Sequence, residues 1–270
     1  YFYGQTARPW AGWPGRADIA QICRVRRGAG SLLTPPEASA APVAVLGGTF
    51  NPIHNGHLRS ALELVERLSL GCLHLMPCAT PPHRDAPQCS ALRRADMVEL
   101  AIAGEPRLQC DRRELARSGP SWTIDSLQEL RAEYGPARSL SLVMGCDALL
   151  GLERWHRWRS LLDFAHIVVI ARPGWQWPQE GVLAGWLAEH CIAQVAMLHQ
   201  QPAGKVLMQE LRPLAISSTE IRNLCVAGCS PRYLLPEPVL DYIDTHQLYA
   251  DTAGTDCLTG EKSPGCKPKP

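Results

Sequence analysis

From residue 42 onward, short apolar runs alternate with longer stretches whose apolar positions recur every three or four residues. Pro42-Val43-Ala44-Val45-Leu46 suits a buried strand, and Leu58, Ala61, Leu62, Val65 and Leu68 then fall on one stripe of a helix beginning near His57. The same alternation predicts a strand at 72–76 stopped by Pro77. Next come a helix from about Ser90 to Ala103, with Leu92, Ala95, Val98, Leu100 and Ile102 partly periodic, and a short strand at 107–110. A helix starting at 121–125 carries Ile124, Leu127, Leu130 and Tyr134 on its apolar face and ends at Gly135-Pro136. Strands at 140–144 and 166–171 follow, then a loop over 175–181 and a helix near 182–190. Weaker strands around 193–198 and 205–208 and helices near 218–227 and 237–246 complete the pattern. Strands alternating with helices over about 200 residues predict an α/β fold, a parallel sheet with helices on both faces. A small helical part closes its C-terminal end.

The flanks read differently. In residues 1–41 the segments Arg8-Pro9-Trp10, Gly12-Trp13-Pro14-Gly15 and Thr34-Pro35-Pro36 interrupt any period before it is established, which predicts a disordered N-terminal extension. Its five arginines face only Asp18 and Glu37, as in a targeting segment, yet it has no continuous apolar stretch for a secretory signal. The domain is expected over 42–249, and 250–270, rich in Gly, Pro, Thr and Lys, is expected to be a disordered tail.

Composition narrows the class of partner. A chain of 270 residues, 46% hydrophobic and 20% charged with a net charge of +1, is that of a soluble globular protein. It lacks the basic excess of proteins that bind nucleic acid or anionic membranes in bulk. No apolar run approaches the roughly 18 residues of a spanning helix. Eleven cysteines, odd in number and without a Cys-x-x-Cys pair, predict mostly buried thiols in a reducing, cytoplasmic setting rather than a disulfide framework or a zinc site. The oligomeric state stays open, a homo-oligomer included.

The chemistry is concentrated in Gly47-Gly48-Thr49-Phe50-Asn51-Pro52-Ile53-His54-Asn55-Gly56-His57, between the first strand and the first helix. Glycines let backbone approach a ligand, and a helix N-terminus aims N–H groups and positive potential at an anion. His54 and His57, spaced His-x-Gly-His, are able to face one phosphate as neutral or protonated donors. A structural reading, two histidines that cap a helix, stands beside it. Ile216-Ser217-Ser218-Thr219-Glu220-Ile221-Arg222 combines hydroxyls and an acid at a helix start with Arg222 one turn in; it is a second anion site, an ordinary capping box, or both. Asp147 follows a strand, where a carboxylate either accepts from a ribose or caps a helix. Trp155 offers a face for a pyridine ring, or packs in the core.

Together, Gly47 to His57, Pro81 to Arg84, Trp122-Thr123, Gly145-x-Asp147, Trp155 and Ile216 to Arg222 resemble bacterial nicotinate-nucleotide adenylyltransferases of the nucleotidyltransferase superfamily, over roughly residues 42–249. The resemblance implies a Rossmann-like doubly wound domain that joins nicotinate mononucleotide to the AMP part of ATP, with Mg2+, giving deamido-NAD and pyrophosphate for NAD biosynthesis. By the same resemblance His54, His57 and Arg222 are catalytic. Gly48, Thr49, Phe50, Gly145, Asp147, Ser218 and Thr219 would hold ATP and its phosphates, and His83, Arg84, Thr123, Trp155 and His156 would hold nicotinate mononucleotide; no residue is assigned as a metal ligand. Three positions depart from the family pattern: Arg84 stands for lysine, Trp122 for a common tyrosine, and Asn51 for a common aspartate, so that Asn51 cannot be a charged ligand for Mg2+. Other adenylyl- or cytidylyltransferases of the superfamily, such as one acting on pantetheine phosphate, and a catalytically silent nucleotide-binding module remain as alternatives.

Overall fold

The computed structural model describes residues 41–79, 89–171, 175–212 and 214–250, all within one compact unit. Seven strands form one sheet: β1 (Val43–Gly48), β2 (Cys72–Pro77), β3 (Leu108–Cys110), β4 (Leu140–Gly145), β5 (His166–Ala171), β6 (Cys191–Ile192) and β7 (Val206–Glu210). Their order is β3-β2-β1-β4-β5-β7-β6, and every ladder is parallel. The order turns around between β1 and β4: β2 and β3 extend one way from β1, and β4 with the later strands extends the other. Parallel strands need crossovers, and the helices supply them: α1 (Asn55–Arg67), α2 (Ala91–Ile102), α3 (Arg113–Ala116), α4 (Thr123–Tyr134) and α5 (Cys146–Leu150). After them come α6 (Leu161–Phe164), α7 (Gly181–His190), α8 (Ala196–His199), α9 (Ser218–Val226) and α10 (Glu237–Thr245).

Two apolar layers sandwich the sheet, because successive residues of a strand point to opposite faces. Ala44, Val143 and Val168 meet Leu64 of α1, Val98 of α2 and Val239 of α10 in one layer. Val45, Leu142 and Val169 meet Leu127 of α4, Leu149 of α5 and Leu187 of α7 in the other. This is the doubly wound arrangement that the alternation predicts. The C-terminal helices α9 and α10 are part of the first layer, through Ile221, Leu240 and Ile243.

Some local expectations are corrected. The first strand continues through both glycines, which pair with Met76 and Pro77, so the turn starts at Thr49. Helix α1 starts at Asn55 with His54 as its cap, two residues before the expected place. On that helix Leu64 is fully buried while Leu62 is only half-buried, since the stripe facing the sheet runs through Ala61, Leu64, Val65 and Leu68. On α2 the expected Leu92 and Leu100 face solvent, and Arg94 and Met97 are buried in their place. The strand expected at 193–198 is instead the two-residue β6 followed by the turn α8, which puts Leu198 in the core. Helix α3 was not anticipated, because four residues are too few for a period to register. The eight cysteines among the described residues are free, but only Cys89 and Cys146 are buried; five are half-buried and Cys229 is exposed.

Candidate active site

The carboxyl ends of β1 and β4 meet where the strand order turns around, the position at which open α/β sheets hold ligands. A cavity of about 250 Å³ opens there. Gly47, Gly48 and Thr49 form one wall, Cys78 and Met76 a second, and Trp122, Thr123, Trp155 and His156 a third. A smaller cavity of about 160 Å³, lined by Ser60, Asp147, Ile170 and Leu211, lies along β5, and Gly145 lines both. One glycine at the end of β4 therefore lines both cavities.

The aromatic wall belongs to α4 and the turns after α5. Trp122 caps α4 with its backbone alone, so no side chain competes for the first N–H groups of the helix, that of Thr123 among them. The Trp122 and His156 rings lie 5.1 Å apart and tilted by 34°, and half-buried Trp155 packs at the edge of the apolar layer. Trp158, three residues on, is a core residue set edge-on to Trp186. Glu114, buried on α3, lines the same cavity and accepts from the Ser126 hydroxyl at 3.0 Å. Burial pushes its carboxyl up.

The turn after β1 is built differently. Phe50 adopts a left-handed backbone, φ 46°, and folds its ring onto Gly48, where an added Cβ would lie 2.8 Å from the ring. That is the reason for glycine at 48; Gly47 has open space in front of it. The Phe50 ring also meets His57 edge-on at 5.2 Å. His54 and His57 stack at 3.7 Å, and Gly56 between them leaves room for the His54 ring, whose atoms would lie 3.0 Å from a Cβ. Burial lowers His54 to about 4, and burial together with the charge of a protonated His54 lowers His57 to about 3, so both are neutral at pH 7. His57 Nδ1 accepts the His54 backbone N–H at 3.3 Å. In a neutral ring that leaves the proton on Nε2 as a free donor. The capping role is thus real, and it fixes the tautomer.

The segment at 216–222 docks on the same turn. Ser217 is the cap of α9, accepting from Glu220 N–H at 3.1 Å. The Ser218 hydroxyl donates to Pro52 O at 2.9 Å, and Arg222 donates to Asn51 O at 2.8 Å and to the Thr219 hydroxyl at 3.3 Å. Asn51 is buried, and its Oδ1 accepts from Tyr249 OH at 2.7 Å. Its side chain points inward and binds its own C-terminal region.

The structure brings together His54, His57, Arg222, Thr49, Phe50, Ser218 and Thr219 around one turn, and Thr123, Trp155 and His156 around the larger cavity. Asp147 is exposed on the second cavity as the second residue of α5, whose cap is Gly145. His83 and Arg84 lie outside the described residues. Sequence reasoning missed Glu114, which sits in an unrecognised helix, and Arg94. The signal for Arg94 was present: a charge four residues before Val98 and eight before Ile102, on the buried stripe of α2. Among the described residues, no group of three or more His, Cys, Asp or Glu is placed to hold a metal ion, and no helix is long and apolar enough to cross a membrane.

Residues 45–224 match the family model described as cytidylyltransferase-like. A protein of Aeromonas hydrophila subsp. hydrophila named "Probable nicotinate-nucleotide adenylyltransferase" is 49% identical over 208 residues, covering 77% of this chain and 97% of that protein. A protein of the same name from Cellvibrio japonicus is 48% identical over 207 residues, 77% of this chain and 98% of its own. Among solved structures, the Plasmodium falciparum nicotinic acid mononucleotide adenylyltransferase complexed with NaAD matches with a TM-score of 0.57 over 77% of this chain and 97% of that one. At 16% identity, that likeness is one of fold.

Proposed function

The chain belongs to the nicotinate-nucleotide adenylyltransferase family within the cytidylyltransferase-like proteins, and from that premise we propose how its residues divide the work. The reaction transfers the adenylyl group of ATP to nicotinate mononucleotide, giving deamido-NAD and pyrophosphate in NAD biosynthesis. The observation that supports this division is that two cavities at the carboxyl ends of β1, β4 and β5 share Gly145 as a lining residue, the larger also lined by Gly47, Gly48 and Thr49 of the segment that leads to His54 and His57.

Nicotinate mononucleotide takes the larger cavity. Its pyridine ring stacks on Trp155, and its carboxylate accepts the free N–H groups of the first turn of α4 at Thr123 and the backbone N–H of His156. Backbone donors at a helix N-terminus favour a carboxylate over a neutral carboxamide. His83 and Arg84 are assigned to its phosphate. Adenosine takes the smaller cavity, with Asp147 accepting from the ribose.

The 5′-phosphate oxygen of the mononucleotide is already an anion, so no residue has to remove a proton. It attacks the α-phosphorus of ATP, a P–O bond forms, and the bond from the α-phosphorus to the bridging oxygen breaks, releasing pyrophosphate. Positioning and charge stabilisation supply the catalysis. His57 donates from Nε2 to oxygen on the α-phosphate as charge grows there, and His54 stacks behind it. The N–H groups of Thr49 and Phe50 hold phosphate oxygens, while Gly48, whose N–H belongs to the β1–β2 ladder, lets the nucleotide approach the backbone. Ser218, Thr219 and Arg222 receive the β- and γ-phosphates, with Arg222 keeping its bond to Asn51 O. Mg2+, when bound with ATP, would supply further neutralisation of the triphosphate charge beside Arg222.

The test is pyrophosphate release from ATP and Mg2+ with nicotinate mononucleotide, nicotinamide mononucleotide or pantetheine phosphate. The expected order is strong release with the first, weaker with the second and none with the third. Release with pantetheine phosphate alone would transfer the assignment to another branch of the superfamily, and no release with any acceptor would leave a silent binding module.

A further inference from the structure

Arg94 is fully buried on α2, yet its guanidinium reaches no carboxylate within the hydrogen bonds it makes. It donates to four backbone carbonyls: to Thr49 O by a short bond, to Cys78 O at 2.6 Å, to Ala79 O at 3.4 Å and to Cys89 O at 3.3 Å. Burying a guanidinium is costly unless its donors are satisfied, so the cation and these carbonyls hold each other in place. Two of the four belong to cavity walls, since Thr49 ends the β1 side and Cys78 the β2 side.

The bond to Thr49 O has a directional consequence. A peptide unit is planar, and in a trans peptide the carbonyl and the N–H point in opposite directions. The Thr49–Phe50 peptide is trans, and its carbonyl is drawn toward α2, in the layer of Met97 and Val98. The N–H of Phe50 therefore points away from α2; Thr49, at the other end of the same peptide, lines the larger cavity together with Val45, Leu142 and Met144 of the opposite layer. Phe50 is held with φ 46°, a region unfavourable for a residue with a side chain. Rotation of the 49–50 peptide would relieve that conformation. It would also turn the Thr49 carbonyl toward the nucleotide and withdraw the N–H, replacing a donor by an acceptor where a phosphate is to sit.

We propose that Arg94 is a positioning residue that locks the Thr49–Phe50 peptide in its anion-binding orientation, so that the Phe50 N–H is presented to the α-phosphate of ATP. The inference rests on the adenylyltransferase reading of the turn and adds to it a residue that touches no substrate. Lysine cannot replace Arg94, because one ammonium does not reproduce the planar fork that reaches several carbonyls at once.

The test begins with the unaltered protein, labelled with 15N and titrated with the Mg2+ complex of α,β-methylene ATP. The Phe50 amide proton is expected to move downfield with saturation, as a backbone N–H does on gaining a charged acceptor. In Arg94→Lys the same titration is expected to leave that resonance unmoved, with kcat lowered about tenfold or more, in keeping with the loss of one oriented donor. KM for nicotinate mononucleotide should stay near the parent value. A general slackening of the cavity walls would instead raise that KM as kcat falls, abolishing the split between kcat and KM and overturning the inference. Shifts at Gly145 and Ser218 with none at Phe50 overturn the inference and leave the reading of the site intact; no shifts anywhere overturn both. Parent-like kcat in Arg94→Lys also overturns it. Should that variant fail to fold, the titration of the unaltered protein still decides.

Discussion

The two sides of the site differ in where their polar groups point. On the aromatic side, the first N–H groups of α4 meet no capping side chain beside a cavity of about 250 Å³. On the phosphate side, polar groups are tied to one another: His57 Nδ1 to the His54 N–H, Ser218 to Pro52 O, Arg222 to Asn51 O and to Thr219. In the proposed reaction the first arrangement binds by vacancy, the second by leftover donors, His57 Nε2 and the remaining N–H groups of Arg222. Ground-state affinity should depend on the first, and stabilisation of developing charge on the second.

The largest expected effect tests the second half of that contrast. His57→Ala removes a neutral donor whose tautomer is fixed by its own helix, and kcat is expected to fall about 10²- to 10³-fold, as for loss of one preorganised donor. KM for both substrates should change little. A change in KM alone, with turnover intact, would make His57 a ground-state ligand and abolish the distinction between the two sides. Next in size, Trp155→Ala removes a stacking face and should raise KM for nicotinate mononucleotide about tenfold, with KM for ATP unaffected. An equal rise in both constants would mean that Trp155 supports the fold, as Trp158 does, rather than the ring of a substrate.

These residues differ in how far sequence could reveal them. The alternation of strands and helices made the sheet legible, because apolar runs and helical stripes are set by which layer each residue faces. The turn at Gly47–His57 and the segment Ile216–Arg222 were legible as types of residue at fixed spacing. What could not be read was direction. Nothing in the order of residues says that Gly48 accommodates the Phe50 ring, or that Asn51 turns inward to meet Tyr249 across 198 positions. The place of Arg94 on the buried stripe was legible but its burial was not, because charge is a poor guide to burial when the partners are carbonyls, which every residue has.

A smaller effect concerns the strut behind the phosphate side. Tyr249→Phe removes the donor to Asn51 Oδ1 and leaves a buried amide oxygen without it, which should cost about 1–3 kcal/mol of stability. The loss is readable as a lower urea midpoint with unchanged slope. Turnover should fall less than in His57→Ala, since the Arg222 bond to Asn51 O survives. A loss of turnover matching that of His57→Ala would show that the C-terminal region sets the geometry of the turn rather than supporting it.

The last effect is on pH dependence, and its sign follows from burial. His54 and His57 titrate near 4 and 3 in the folded chain, against 6.5 for an unperturbed histidine. Between those values the unfolded chain binds protons that the folded one does not, so stability rises with pH across this window. The stabilisation is fully present above about pH 6.5 and is lost as pH falls toward 4. The thermal midpoint should therefore fall between pH 7 and pH 5, and less steeply in His57→Gln than in the parent; the difference isolates His57 from His54 and from buried His74 and His166, which are lowered as well. Over the same range kcat/KM should show no inflection near 6.5 from these histidines, because that ratio reports the free enzyme, in which both are neutral. An inflection there that disappears in His57→Gln would mean that His57 meets the triphosphate as a cation, and the phosphate side would then bind by charge rather than by an oriented neutral donor.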